Sequence, residues 1–144
     1  MDHVVYLDAK ARELNQLLAG DKTMIIRGAA GRKLPHGRVF PGDTLYFIEN
    51  NADGQIRARG VVKTAIHTDK LTPDESARLI AEYQPGLQLT SEQIERWSGK
   101  RYLVLIEVEA VATIAPFPID KSRYGNMDDW LPVGDIQSVT LPAG

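Results

Sequence analysis

The segment from Gly20 to Arg27 holds the residue types best suited to bind an anion. If a strand starts at Thr23, its two-residue period places Thr23, Ile25 and Arg27 on one face. Lys22 lies in the turn before this strand, and its long stem lets the ammonium swing toward Arg27. The core-facing positions are then Met24 and Ile26.

Two cations held beside a hydroxyl predict a binding site for a negatively charged group. Like charges held together are unfavourable unless an acid or a bound anion offsets them. The arginine guanidinium also suits bidentate contact with phosphate or carboxylate. The same residues fit a plainer interpretation, in which Arg27 is ion-paired on the strand surface and Lys22 is solvated in the turn.

The chain is slightly acidic as a whole, but its positive charge is concentrated in the first half. It has 144 residues and a net charge of −2, which argues against coating nucleic acid through bulk charge. Residues 22–63 nevertheless carry eight cations against three acids. This asymmetry fits a local site for an anion or a phosphodiester, and it equally fits a chance cluster of charges on a solvated face. The cations are Lys22, Arg27, Arg32, Lys33, Arg38, Arg57, Arg59 and Lys63.

The composition excludes several classes of chemistry. The chain has no cysteine, which removes thiolate catalysis, disulfides and thiolate metal sites. His3, His36 and His67 are far apart, and neither a Walker loop nor a Gly-x-Ser-x-Gly elbow occurs. We therefore expect no metal and no cofactor. No stretch reaches the roughly 18 apolar residues of a membrane span, and no signal peptide is evident, so we expect a cytoplasmic protein without a membrane partner.

The first elements are a strand over residues 3–7 and a helix over residues 9–19. Asp8 is the predicted N-cap of this helix, and Gly20 is its predicted C-terminal stop. A turn at Pro41 to Asp43 and hairpin-type residues at positions 50–54 then separate extended segments.

Residues 55–66 are predicted to form a two-sided strand. Alternate positions would give it one apolar face and one largely basic face. The apolar face would hold Ile56, Ala58, Gly60, Val62 and Ile66, and the basic face Arg57, Arg59, Lys63 and His67.

Two short helices are predicted between this strand and the next. Thr72 with Glu75, and Thr90 with Gln93, have the spacing of capping boxes. The longest strand follows over residues 102–112, prolines interrupt the chain beyond it, and residues 136–141 could form a last strand. This order predicts an α+β fold, a small and mostly antiparallel β-barrel with flanking helices, in a single domain over residues 1–144.

The sequence resembles a known family, the ASCH domain of the PUA-like superfamily. The resemblance is carried by Gly20, Lys22 and Arg27, by the helix before them, and by the Pro-Gly-Asp-Thr-Leu run at residues 41–45. It covers roughly residues 3–112. It implies a PUA-like barrel with a cleft beside it, lined by Lys22 and Arg27, that binds RNA or a nucleotide-like or nucleoside-like small molecule. The oligomeric state is left open.

Some proteins similar to this family are amidohydrolases of N4-acetylcytidine that use a lysine, a threonine three residues later and a glutamate. Lys22 matches the lysine, but Ile25 stands where the threonine would be. Thr23 and Glu82 are the substitutes that this alternative requires, with Glu107 as another acid. Other relatives resemble ribonucleases of single-stranded RNA, for which Tyr46, Lys22 and Thr23 are candidates.

In the binding hypothesis, cations hold phosphate and aromatic side chains stack on bases. The aromatic candidates are Tyr46, Tyr124 and Trp130. The full set of predicted ligand-binding residues is Gly20, Lys22, Arg27, Arg32, Lys33, Arg38, Tyr46, Arg57 and Arg59.

Overall fold

The strands form one mixed, curled sheet in the computed structural model, which describes residues 1–125 and 127–142. They are β1 (Asp2–Leu7), β2 (Met24–Ala29), β3 (Thr44–Glu49), β4 (Gln55–His67), β5 (Tyr102–Pro118) and β6 (Trp130–Gly134). Their order in the sheet is β2-β5-β4-β3-β1-β6. The β1–β3 pair is parallel and the other neighbouring pairs are antiparallel. Because β2 and β6 are edges that do not pair, the sheet is a half-barrel with an open seam.

Three helices lie in the segments where the sequence predicts them, although the first is shorter than predicted. Helix α1 (Glu13–Ala19) follows β1, while α2 (Pro73–Leu87) and α3 (Ser91–Trp97) lie between β4 and β5. Both predicted capping boxes form at the starts of α2 and α3. Within the described residues, none of the helices combines the length and apolar character that crossing a membrane requires.

Helix α1 begins later than predicted. The Asp8 carboxylate accepts the Ala11 N–H at 3.0 Å, so it caps a preceding turn, and the residue before the helix is Arg12 with φ 58°. Gly20 ends the helix at φ 81°, as predicted. Glycine adopts this left-handed conformation without steric cost.

The prediction of one core face on β2 is wrong, because both faces are buried. Ile25 packs inside the half-barrel with residues such as Val5 and Phe47. Met24 and Ile26 pack on the outside, in a cluster that α2 and α3 cover. Arg27 alternates with Ile26, so it shares the inner face with Ile25.

The predicted two-sided pattern of β4 holds only in the middle of the strand, where Ala58 and Val62 both pack inside the half-barrel. Register shifts interrupt its pairing between Ile56 and Ala58, and again further along the strand. A bulge adds a residue and turns the following side chains to the other face. Ile56, Val62 and Ile66 consequently contribute to three different apolar clusters.

The C-terminal region differs from its prediction. Strand β5 continues through its prolines to Pro118, and the last strand is Trp130–Gly134 rather than residues 136–141. Ile136–Ser138 instead form a 3₁₀ turn whose N-cap is Asp135.

A buried polar network links the start of the chain to the seam. The Trp130 indole N–H donates to His3 Nδ1 at 3.0 Å, so His3 Nε2 carries the proton that reaches Asp43 Oδ2 at 2.9 Å. The ring of His3 is fully buried. Burial, the largest influence, lowers the pKa of His3 despite the opposing effect of Asp43.

This network predicts loss of stability in acid. Because the pKa of His3 is lower in the folded protein than the 6.5 of an ordinary histidine, the unfolded chain binds the proton more tightly. The contribution of neutral His3 to the free energy of unfolding is complete above pH 6.5. It is lost as the pH falls through the lowered pKa of His3 in the folded protein. The free energy of unfolding, measured by urea at successive pH values, should fall below pH 6.5. An NMR titration that places the pKa of His3 at or above 6.5 would contradict this.

Candidate functional site

Arg27 crosses the open seam of the half-barrel. It lies on the edge strand β2, yet its Nη2 donates to the Tyr6 carbonyl of β1 at 2.6 Å. Its Nη1 donates to the Ile26 carbonyl at 2.7 Å. Its Nε lies 3.2 Å from Oδ2 of Asp129, and the guanidinium lies 5.7 Å from the centroid of the Trp130 ring. Arg27 therefore joins β2 to β1 and to the start of β6, strands with which β2 shares no backbone ladder.

One polar atom of Arg27 is left without a hydrogen bond. The residue is only 7% exposed, and among the described residues its buried Nε has no acceptor in hydrogen-bonding geometry. Asp129 is at ion-pair distance from it but is not aligned with the N–H. A buried donor without an acceptor costs roughly 1–3 kcal/mol, so an acceptor supplied by a ligand would be favourable here.

Lys22 is fully buried behind α1. Its ammonium donates to the Leu87 carbonyl at the C-terminus of α2 and lies 3.4 Å from Glu13 Oε2 in the first turn of α1. The last carbonyls of a helix have no partner within the helix and attract cations. Burial, and to a lesser extent Arg27, lowers the pKa of Lys22, while Glu13 opposes the shift.

A cavity of about 90 Å³ lies at the seam beside Arg27. We call it the seam cavity. Its polar lining includes the cations Arg27 and Arg96 and the carboxylates of Asp8, Glu13 and Asp129. The seam cavity therefore carries both signs of charge, rather than the excess of positive charge expected from the sequence. Its lining consists of Tyr6, Asp8, Glu13, Ile26, Arg27, Asn50, Leu89, Gln93, Arg96, Trp97 and Asp129.

Glu13 connects Lys22 to the seam cavity. One carboxylate oxygen of Glu13 accepts the Asp8 N–H at 2.8 Å, and the other pairs with Lys22. Asp8 in turn lies 4.0 Å from Arg96. Lys22 itself does not line the seam cavity, so it contributes by holding Glu13 in place.

The residues of the hydrolase alternative are only partly brought together. Thr23 and Glu82 line an open groove of about 610 Å³ that also contains Glu107. Thr64 donates to Glu107 there at 3.2 Å. The Lys22 ammonium is instead engaged with Glu13 and the Leu87 carbonyl, so the groove lacks the lysine that this chemistry needs.

The other predicted ligand-binding residues are dispersed. Tyr46 packs against Phe117 on the outer face of the sheet, and Tyr124 belongs to the same outer cluster. Arg57 pairs with Asp53. Arg59 is exposed on β4, and Arg32, Lys33 and Arg38 are exposed on the loop after β2.

Several residues of the seam cavity were not predicted from the sequence. The sequence marks Gln93 only as part of a capping box, and it gives no signal that Asp129, Arg96 and Trp97 belong to a site. The capping box of Thr90 and Gln93 marks the start of α3, but no local pattern shows that the last turn of this helix faces β2. Trp130 is buried beneath Arg27 rather than exposed for stacking.

Within the described ranges, no three His, Asp or Glu side chains are close enough together to hold a metal ion.

Comparison with known proteins supports the same architecture. No protein-family model and no curated protein matches the chain. The fold is similar to the crystal structure of ASCH from Zymomonas mobilis, with 14% sequence identity, a TM-score of 0.67, and coverage of 97% of this chain and 96% of that one. A single-substitution variant of that protein gives 12% identity, a TM-score of 0.66, and coverage of 90% and 87%. The chain therefore has the ASCH-domain fold that its motifs predict.

The buried pair of Lys22 and Glu13 is expected to be strongly coupled. Replacing one member leaves the other charge buried alone, so Lys22→Met and Glu13→Gln should each cost roughly 3–5 kcal/mol. The double variant should lose much less than the sum of the two. Urea unfolding of the four proteins measures this coupling, and additive losses would show that the two side chains do not interact.

Proposed function

We propose that the seam cavity binds a nucleotide, free or as part of an RNA strand. The observation that carries the proposal is the buried Arg27, whose Nε donor is unsatisfied beside a polar cavity. A phosphate or a carbonyl oxygen of a nucleobase would supply the missing acceptor. The cavity has room for one such group, with the rest of the nucleotide outside.

The mixed charge of the lining favours a group with both donors and acceptors. Nucleobase edges have this character, since ring carbonyls accept hydrogen bonds and ring or exocyclic N–H groups donate them. Arg27 and Arg96 are donors, and Asp8 and Asp129 are acceptors. Trp97, half-buried in the lining, offers a ring for stacking.

The fold is consistent with this proposal. The resemblance stated above implies a PUA-like barrel with a ligand cleft beside it, and the seam between β2 and β6 is such a position. The hydrolase and ribonuclease alternatives gain no comparable support. The Lys22 ammonium is engaged with Glu13 and the Leu87 carbonyl, and Lys22 does not line the groove that holds Thr23 and Glu82. Tyr46 packs against Phe117 on the outer face of the sheet.

The proposal predicts a specific loss of affinity at Arg96. Its side chain is about half exposed and lines the seam cavity, so Arg96→Ala should leave the fold intact. Loss of a charge-assisted hydrogen bond should weaken nucleotide binding about tenfold or more. Isothermal titration with the nucleoside monophosphates of the four RNA bases measures the effect.

Arg78→Ala is the matched control, because Arg78 is an exposed arginine on α2 outside the seam cavity. It makes the same change in net charge and should retain wild-type affinity. Equal losses in the two variants, or no binding of any monophosphate to the wild type, would overturn the proposal.

A further inference from the structure

A group of exposed cations surrounds the start of β5. We infer that this surface, here called the basic face, binds the backbone of single-stranded nucleic acid. The basic face consists of Arg32, Lys33, Arg38, Lys70, Lys100 and Arg101, all of which are exposed.

Folding brings three separate segments together to form the basic face. Ala29, at the end of β2, pairs with Tyr102. The Leu71 N–H donates to the Arg101 carbonyl at 2.7 Å, and the Arg32 guanidinium lies 5.6 Å from the centroid of the Tyr102 ring. Residues 30–40, 68–71 and 99–102 therefore adjoin one another.

The charge of the basic face is not neutralised by the protein. Asp69 is the only acid in these three segments, and within the described residues none of the six cations forms an ion pair. By contrast, Lys22, Arg27, Arg57 and Arg96 each face a carboxylate. Unpaired cations gathered on one surface of a protein with net charge −2 are suited to a polyanion.

Hydrogen bonds to two histidines hold the loop that carries half of these cations. The Gly37 N–H donates to His67 Nδ1 at 2.9 Å, so His67 Nε2 carries the proton that is donated to the Val39 carbonyl at 2.8 Å. His36 Nε2 similarly donates to the Thr68 carbonyl at 2.8 Å. The loop is therefore ordered before any ligand binds, which reduces the entropic cost of binding.

An exposed aromatic ring on this loop favours a single strand. Phe40 is 53% exposed, and one side of it approaches His67 at 5.8 Å between ring centroids. Its open side can stack on an unpaired base, a contact that bases inside a duplex do not offer. Cations for phosphate beside a ring for a base are the combination found in proteins that bind single strands.

The inference does not depend on the seam cavity. None of the six cations of the basic face lines that cavity. A variant of the basic face should therefore leave the affinity for nucleoside monophosphates unchanged, whereas Arg96→Ala should change it. The two proposals can fail separately.

The test is fluorescence anisotropy with a labelled uridine oligonucleotide at salt concentrations between about 50 and 200 mM. Each phosphate contact contributes about −0.7 to the slope of log affinity against log salt for single strands. Lys33→Ala/Arg38→Ala should reduce the magnitude of the slope by about 1.4, the share of two contacts. Phe40→Ala should weaken binding about fivefold or more without changing the slope.

Lys63→Ala/Arg78→Ala is the control, since it removes two exposed cations outside the basic face. It should retain the wild-type slope. The inference is overturned if both double variants lose the same slope, if the wild type binds phosphatidylserine vesicles but not the oligonucleotide, or if Phe40→Ala has no effect.

Discussion

The open seam between β2 and β6 is the constraint on which the rest of the structure depends. Unpaired strand edges expose backbone donors and acceptors that need partners. Here the side chain of Arg27 supplies some of these partners. Its guanidinium crosses the seam, donates to the Tyr6 carbonyl and lies beside Asp129. Burying that cation is costly, and the carbonyls, the carboxylate and the Trp130 ring offset the cost. The Nε–H of this buried group lies beside Asp129 without an aligned hydrogen bond, so the residue that closes the seam is also the one proposed to bind a ligand.

Local signals in the sequence were sufficient to predict the helices and the first five strands, but not the last strand or the burial of the elements. The capping residues Thr72 and Thr90, and the stop at Gly20, depend on contacts within a few residues, and all three form as predicted. The alternation of β2 was misread because a two-residue period shows which side chains share a face, not whether the other face is covered. Helices α2 and α3, distant along the chain, cover it.

The candidate site shows the same division between local and long-range information. The spacing of Lys22 and Arg27 identified two residues that are functionally or structurally important, but not their partners. Glu13 and Asp129 lie on other elements, and they convert an expected electropositive hollow into a cavity of mixed charge. The bulges of β4 likewise cannot be seen in its alternation. Arg57 and Arg59 lie apart from Arg27 because β5 separates β4 from β2 in the sheet. The basic face needed Lys100 and Arg101, which only the β2–β5 pairing brings beside the earlier loop.

The proposal that a ligand accepts a hydrogen bond from Arg27 is tested most directly by NMR. The measurement follows the Arg27 Nε–H resonance in ¹⁵N-edited spectra during titration with a nucleoside monophosphate. A donor that gains an acceptor from the ligand should shift markedly and exchange with water more slowly, in step with saturation, while the Arg78 Nε–H stays unchanged. A resonance that keeps its position and exchange rate while nucleotide binds would show that the guanidinium of Arg27 only closes the barrel, and the central claim would be wrong.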